Sequence, residues 1–416
     1  MPENWKTYNL GELVDLKQGL AINKKTNHLL CDAGINSIPL FKIRDLLNDT
    51  VEHYVKADEV PRQCIAKKED LIYSRTGQVG HIFKGKVGCI HNNCFKIIPS
   101  EKLDSGFLYH YLKNPVIRQY ANDIASGSVQ KDLNHTAFKS IPIKVPENLQ
   151  EQKSIASILS ALDDKIELNL QMNKILEEMA MALYKHWFVD FGPFQDGEFV
   201  DSELGEIPKG WEVLTLSDVT SKITDGAHHS PKSVEEGKPM ASVKDMDHWG
   251  FNIETCRKIS EVDYLKLTNQ GCRPLKNDVV IAKDGSYLKH AFVIEKDLDI
   301  VLLSSIAILK PNGKLNPHLL NLNLKLDSVK TRMKAIVSGA AIQRIVLKEF
   351  RKFLIIVPPK QIQDSALQSI ENLMEQCWNN NSENQTLTKL RDTLLPKLIS
   401  GEVRVKDVEK TLTEVL

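Results

Sequence analysis

Residues 149–187, LQEQKSIASILSALDDKIELNLQMNKILEEMAMALYKHW, contain neither proline nor glycine. Pro146 lies before them and Gly192-Pro193 after. Alternating steps of four and three residues pick out Ile155, Leu159, Leu162, Ile166, Asn169, Asn173, Leu176, Ala180, Leu183 and Trp187. A seam of this period, held for about five heptads, predicts one long helix whose narrow apolar stripe suits a partner helix. Two asparagines interrupt it at the middle.

Adding 211 to each number gives Ala366, Ile370, Leu373, Cys377, Asn380, Asn384, Leu387, Arg391, Leu394 and Leu398. The seam returns, and so does its Asn-x-x-x-Asn break. Gln150 and Gln152 return as Gln361 and Gln363, and Pro359 and Pro396 mark the expected ends. Two helices with matched seams are expected to pack on each other. Asn169, Asn173, Asn380 and Asn384 would then fix their register at some cost in stability. The competing reading is two unrelated helices, each packed on its own domain.

A chain of 416 residues is expected to form two large domains. With 42% hydrophobic and 26% charged residues it falls in the ordinary globular class rather than the disordered or membrane classes. There is no apolar run of about 18 residues, and the polar start Met1-Pro2-Glu3-Asn4 does not read as a signal peptide, which implies a cytoplasmic protein. Seven cysteines without a CxxC pair point to reduced thiols. Cys89-Ile-His91-Asn-Asn-Cys94 offers three metal-ligand types, but no fourth lies nearby and the flanks read as strand, so core residues are expected and no metal.

The net charge is zero, but it is unevenly spread: +4 over residues 1–148, −7 over 149–205, +5 over 206–358 and −2 over 359–416. Two mildly basic globular parts alternate with two acidic helical parts. A weakly basic domain is a modest sign of nucleic-acid binding; two of them held apart by acidic spacers are a better one.

In residues 1–148, short runs rich in Ile, Val, Phe and Tyr (38–43, 70–74, 80–83 and 94–98) read as strands, and 107–112 and 116–124 as helices. Two loops carry hydrogen-bonding groups beside glycine. Ser74-Arg75-Thr76-Gly77-Gln78-Val79-Gly80 supplies Arg75, Thr76 and Gln78; Ala125-Ser126-Gly127-Ser128-Val129-Gln130-Lys131 supplies Ser128, Gln130 and Lys131. Arginine and lysine suit guanine edges or phosphates, and glutamine suits adenine. Taken singly, each loop also reads as an ordinary polar turn.

Residues 206–358 repeat this plan. Trp5…Leu10-x-Glu12-Leu13 corresponds to Trp211…Leu216-x-Asp218-Val219, and Lys68-x-Asp70…Arg75-x-Gly77 to Lys276-x-Asp278…Lys283-x-Gly285. Ser126-Gly127 corresponds to Ser338-Gly339, and Gln130-Lys131 is set against Gln343-Arg344. The second set of candidate contacts is therefore Lys283, Ser286, Tyr287, Gln343 and Arg344, with His228 from the loop Asp225-Gly226-Ala227-His228. The chain is an α+β protein duplicated at a period near 211: domain 1–148, helix and linker 149–205, domain 206–358, helix and tail 359–416. A kept framework with divergent loops suits two copies of one scaffold reading two different things.

At His186-Trp187-Phe188-Val189-Asp190-Phe191, Gly205-Glu206-Ile207-Pro208-Lys209-Gly210-Trp211 and Leu394-Leu395-Pro396-Lys397-Leu398-Ile399-Ser400-Gly401-Glu402-Val403, the sequence resembles the specificity subunit of type I restriction-modification systems. The resemblance spans essentially the whole chain. It implies two target-recognition domains, mainly β with helices, each gripping half of a split double-stranded DNA site, separated by two long antiparallel coiled-coil helices. It further implies a non-catalytic chain docking two methyltransferase subunits and, through the complex, restriction subunits. S-adenosylmethionine, ATP and magnesium would belong to those partners, and this chain would bind no cofactor. A helix over 149–187 is about 58 Å long at about 1.5 Å per residue, on the order of 17 base pairs at about 3.4 Å each, which suits a spacer.

Enzymatic readings fare worse. Pro358-Pro359 lies between Val357 and Lys360, so the Asn/Asp-Pro-Pro-Tyr/Phe motif of an adenine methyltransferase is missing. Asp225 with Glu236-Gly237-Lys238 approximates a metal-nuclease pattern but lacks the Pro-Asp lead and has no counterpart in the first domain. The remaining alternative is a non-catalytic coiled-coil scaffold without sequence-specific DNA binding.

Overall fold

The computed structural model describes residues 4–285, 289–339 and 343–408. Contacts divide it into two compact units, residues 1–166 with 385–416 and residues 167–384. Each unit therefore takes part of each long helix.

The two units share one sheet plan. In the first, Val14–Gln18, Cys94–Pro99, Leu71–Ser74 and Ile82–Phe83 form an antiparallel sheet in that order. In the second, the order is Thr220–Asp225, Ile306–Pro311, Val279–Ala282 and Ala291–Val293. The strand that enters each domain pairs antiparallel with the strand that leaves it: Trp5–Asn9 with Pro142–Pro146, and Glu212–Thr215 with Leu354–Val357. A parallel pair recurs as well, Ser37–Phe41 with Gly88–Ile90 and Lys238–Ala241 with Val301–Leu302. β-Branched and aromatic residues fill these strands because a pleated surface buried on both faces accommodates them. Leu71–Ser74 and Val279–Ala282 are buried along their whole length. Cys89 and Cys94 are core residues within such strands.

The central helix runs Leu149–Phe188 and the C-terminal helix Lys360–Ser400. Pro396 lies inside the second helix instead of closing it. Gly401, at φ +75°, follows the last turn, in the left-handed conformation that commonly ends a helix. The helices are antiparallel in both units: Asp163 meets Arg391 (3.0 Å) and Glu151 meets Arg404, just past the end of the second helix (2.9 Å), in the first; Asn169 meets Asn384 (2.8 Å) and Asn173 meets the Cys377 carbonyl (3.0 Å) in the second. The seam residues also join the domain cores. Ile155 and Leu159 share one cluster with Leu394, Leu398 and Phe107; Ala180 shares another with Ala366, Ile370 and Leu319. Near its end the buried stripe moves to Tyr184 and Phe188, while Leu183 and Trp187 are only half-buried. A straight helix of 3.6 residues per turn drifts away from a 3.5-residue repeat in this way.

One buried glutamine ties each helix to its domain. Gln152 donates to the Pro146 and Lys102 carbonyls (2.8 and 3.1 Å) and accepts from the Asp104 amide (2.8 Å). Gln363 donates to the Pro358 and Lys314 carbonyls (3.0 and 2.8 Å) and accepts from the Asn316 amide (3.1 Å). Gln150 and Gln361, its companions in sequence, are exposed.

Candidate nucleic-acid interface

In the first unit the two candidate loops meet. Gly77, at φ +80°, donates its amide to the Lys131 carbonyl (2.8 Å), and Leu133 donates to the Arg75 carbonyl (2.8 Å). A Cβ is strained at this φ, so glycine allows the loop to turn here. Asp132 is the hub. It accepts from Arg75 (2.6 Å) and from the Thr76 hydroxyl (2.6 Å), while Gln18 accepts from the other arginine nitrogen (3.2 Å). Burial alone would raise the Asp132 carboxyl, but the hydrogen bonds from Thr76 and Arg75 hold it below the ordinary carboxylate value. Arg75 is only about one-fifth exposed (21%), and its Nε is buried without a partner among the described residues. Gln78, Ser128, Gln130 and Lys131 are exposed; the Lys131 amine caps the Asn122 carbonyl (2.9 Å).

The second unit builds the same turn from different residues. Gly285, at φ +75°, donates to the Gln343 carbonyl (2.7 Å), and Ile345 donates to the Lys283 carbonyl (3.0 Å). The Lys283 ammonium pairs with Asp284 (2.9 Å) and faces Asp225 at 3.7 Å. Strand register makes Asp225, opposite Ala307, the counterpart of Gln18, opposite Phe95. The backbone bonds set Lys131 against Gln343 and Asp132 against Arg344, one residue away from the pairing expected from sequence. The expected pairing matched chemical type, whereas the amide–carbonyl bonds follow chain geometry. Gln343 and Arg344 are exposed. His228 is exposed and bonds Asp225 (3.1 Å). Ser286 and Tyr287 lie outside the described residues.

Of the four lysine and arginine candidates, Arg75 and Lys283 are thus largely buried and held by carboxylates, while Lys131 and Arg344 are exposed. Gln18, Asp132 and Asp284 escaped sequence reasoning, which named Asp225 only as the start of the His228 loop and in a nuclease-like pattern, not as a partner of Lys283. Only the adjacency of Asp284 to Lys283 was visible there; Arg75 and Asp132 lie 57 positions apart.

All four seam asparagines are bonded between the helices of the second unit. Asn169 donates to Asn384 (2.8 Å) and Glu383 (2.7 Å), and Asn380 donates to Asn173 (2.9 Å). Polar anchors flank them. Asp163 holds Lys113 (2.8 Å) and Arg391 (3.0 Å) in the first unit; Glu177 holds His248 (2.5 Å) and Lys325 (2.6 Å) in the second. Burial pushes the Glu177 carboxyl up, but the His248 hydrogen bond and the Lys325 charge outweigh it and bring it down to about 2.

Among the described residues, no group of three or more His, Cys, Asp and Glu side chains is placed to hold a metal ion, and no helix is long and apolar enough to cross a membrane.

Comparison with known proteins agrees with this duplicated architecture. The family model of the type I restriction modification DNA specificity domain matches twice, at residues 2–178 and 208–389. The MjaIX specificity subunit of Methanocaldococcus jannaschii is 28% identical over 98% of this chain and 95% of its own. The HindI specificity subunit of Haemophilus influenzae is 24% identical over 96% of this chain and 100% of its own. Among solved structures, the type I restriction-modification S subunit from M. genitalium superimposes with a TM-score of 0.61 at 19% identity, over 95% of this chain and 96% of that one, a likeness of fold. Matched in both repeats and along nearly its full length by such relatives, the chain belongs to the type I restriction-modification specificity-subunit family.

Proposed function

We propose that this chain is the non-catalytic reader of its restriction-modification complex, each unit binding one half of a split, asymmetric DNA site. One observation carries the reading. The same backbone turn is built twice, at Gly77 and at Gly285, while the side chains around it change from Gln18, Arg75, Thr76 and Asp132 to Asp225, Lys283, Asp284 and Arg344. A kept frame with replaced hydrogen-bonding groups is what two different half-sites require. Arg75, Thr76, Gln78, Ser128, Gln130 and Lys131 serve one half-site; His228, Lys283, Ser286, Tyr287, Gln343 and Arg344 serve the other. The long helices carry the methyltransferase subunits, and restriction subunits join through the complex. S-adenosylmethionine, ATP and magnesium act on those partners, and this chain works in the cytoplasm without a cofactor of its own.

Adenine-methylation sequencing of the host genome, with and without this gene, tests the proposal. Loss of one split, asymmetric methylated motif is the expected result. Persistence of every methylated motif in the deletion strain would favour a scaffold without sequence-specific DNA binding.

A further inference from the structure

The two repeats differ where they would read bases, so what they share beside those loops must serve something common to both half-sites. One basic pair is shared. In the first unit Ser74 donates its amide to the His81 carbonyl (2.9 Å); in the second Ala282 donates to the His290 carbonyl (2.9 Å). His81 and His290 therefore occupy one position. The helices Ser105–Lys113 and Pro317–Lys325 are each followed after one residue by a second helix, Pro115–Ile124 and Asp327–Met333. Arg118 donates its amide to the Asn114 carbonyl (3.0 Å) and Lys330 to the Leu326 carbonyl (2.9 Å), so these cations also occupy one position.

Arg118 lies beside the candidate reading loops of its unit, whereas Lys330, 3.7 Å from the Asp327 carboxylate, shares a cleft with Lys289. The Arg118 guanidinium bonds His81 Nε2 (2.6 Å), and its stem packs on Gly80, where an added Cβ would come within 2.6 Å of Arg118 Cγ. The same helix steadies both loops, since Asn122 donates to the Val79 carbonyl (3.0 Å) and accepts Lys131 at its own. In the second unit Lys330 and Lys289 line one cleft of about 430 Å³ that contains five lysines against two glutamates. Lys289 directly precedes His290 at the foot of the loop that starts at Lys283. The connection itself differs in length and content: Gln78-Val79-Gly80 in one repeat, Ser286-Tyr287-Leu288-Lys289 in the other.

Two halves of an asymmetric duplex differ in base edges and share a phosphodiester backbone. We propose that Arg118 in the first unit, and Lys330 with Lys289 in the second, are positioning residues that contact DNA phosphates and hold each unit against its half-site without reading sequence. Phosphate contacts fix register and orientation but carry no sequence information directly, which explains why these positions keep their charge while the adjoining loops change. The assignment rests on the half-site reading above.

The experiment is duplex binding by the full chain as a function of salt, with the methylated motif and a scrambled duplex as probes. Arg118→Gln and Lys330→Gln should each weaken both duplexes by the same factor. Each should also flatten the dependence of log affinity on log salt by about 0.9, the share of a single neutralised phosphate. Arg118→Lys should restore the slope. Unchanged slopes, or a loss confined to the motif duplex, would overturn the assignment. If the wild-type chain shows no preference for the motif and the variants still flatten the slope, the half-site reading fails and the phosphate contact stands.

Discussion

Asn169 and Asn384 face each other across the two long helices of the second unit, joined by a 2.8 Å hydrogen bond at a buried site. A buried amide that loses its partner costs about 1–3 kcal/mol, whereas replacing both partners by apolar groups can be nearly neutral. Asn384→Leu alone removes one of two acceptors of Asn169, Glu383 being the other, so it should lower stability by an amount near the low end of that range, and the Asn169→Leu/Asn384→Leu pair should recover part of the loss. A double-mutant cycle in denaturant should show a coupling of about 0.5–3 kcal/mol. Additive single effects would show that the asparagines do not act as a pair.

The buried glutamines invite a matched test. Gln363→Ala removes three hydrogen bonds at a site 1% exposed and should destabilise by about 2–4 kcal/mol. Gln361→Ala, two residues earlier and exposed, should stay within about 0.5 kcal/mol. Equal effects in thermal unfolding would mean that the N-terminal joint of the helix is not held by its buried amide.

Two carboxylates of the second unit should respond to pH in opposite senses. Glu177 is held down to about 2 from an ordinary 4.5, so its contribution is complete above about pH 4.5 and fades as pH falls towards 2. Glu295, 3.5 Å from His318, is pushed up to about 7 by burial and by Glu371 and Glu375, against the pull of Lys276. Its stabilising, protonated form is complete below 4.5 and is lost as pH rises through 7. Glu177→Gln should thus cost most near neutrality and little near pH 2, and Glu295→Gln should help at pH 8 more than at pH 4. Melting temperatures of both variants across that range are the check, and parallel pH profiles would contradict the assignment.

Arg75→Ala should weaken recognition of one half-site only, and Lys283→Ala of the other. Competition with duplexes randomised in one half separates the two. Equal loss at both halves from either change would show that the units do not read independently.

The asparagine break made the helix pair legible in sequence, because a polar pair repeated at one place in two seams marks a partnered face. The strands around Leu71–Ser74 and Cys94–Pro99, and the helices Ser105–Lys113 and Pro115–Ile124, were legible from composition and period. The joint between Arg75 and Asp132 was not, since it depends on which loop tips the sheet brings together. The Asp163–Arg391 ion pair was hidden for a related reason: a charge in a seam reads as a defect until the opposing helix supplies its partner. The one-residue shift that sets Asp132 against Arg344 shows the cost of matching side chains by type where the backbone decides register.

The first unit is assembled from two stretches that the second unit separates in sequence. Leu390, Leu394, Leu398 and Val408 lie in one core with Leu10, Phe107 and Phe138. During synthesis its opening 166 residues must wait for residues 385–408, while the second unit is one uninterrupted stretch, 167–384. At about 5–20 residues per second, the interval between residue 166 and Val408 is roughly 12–48 s. The half that is made first is completed last, and a premature stop after residue 384 would leave the opening half, not the later one, without its final wall.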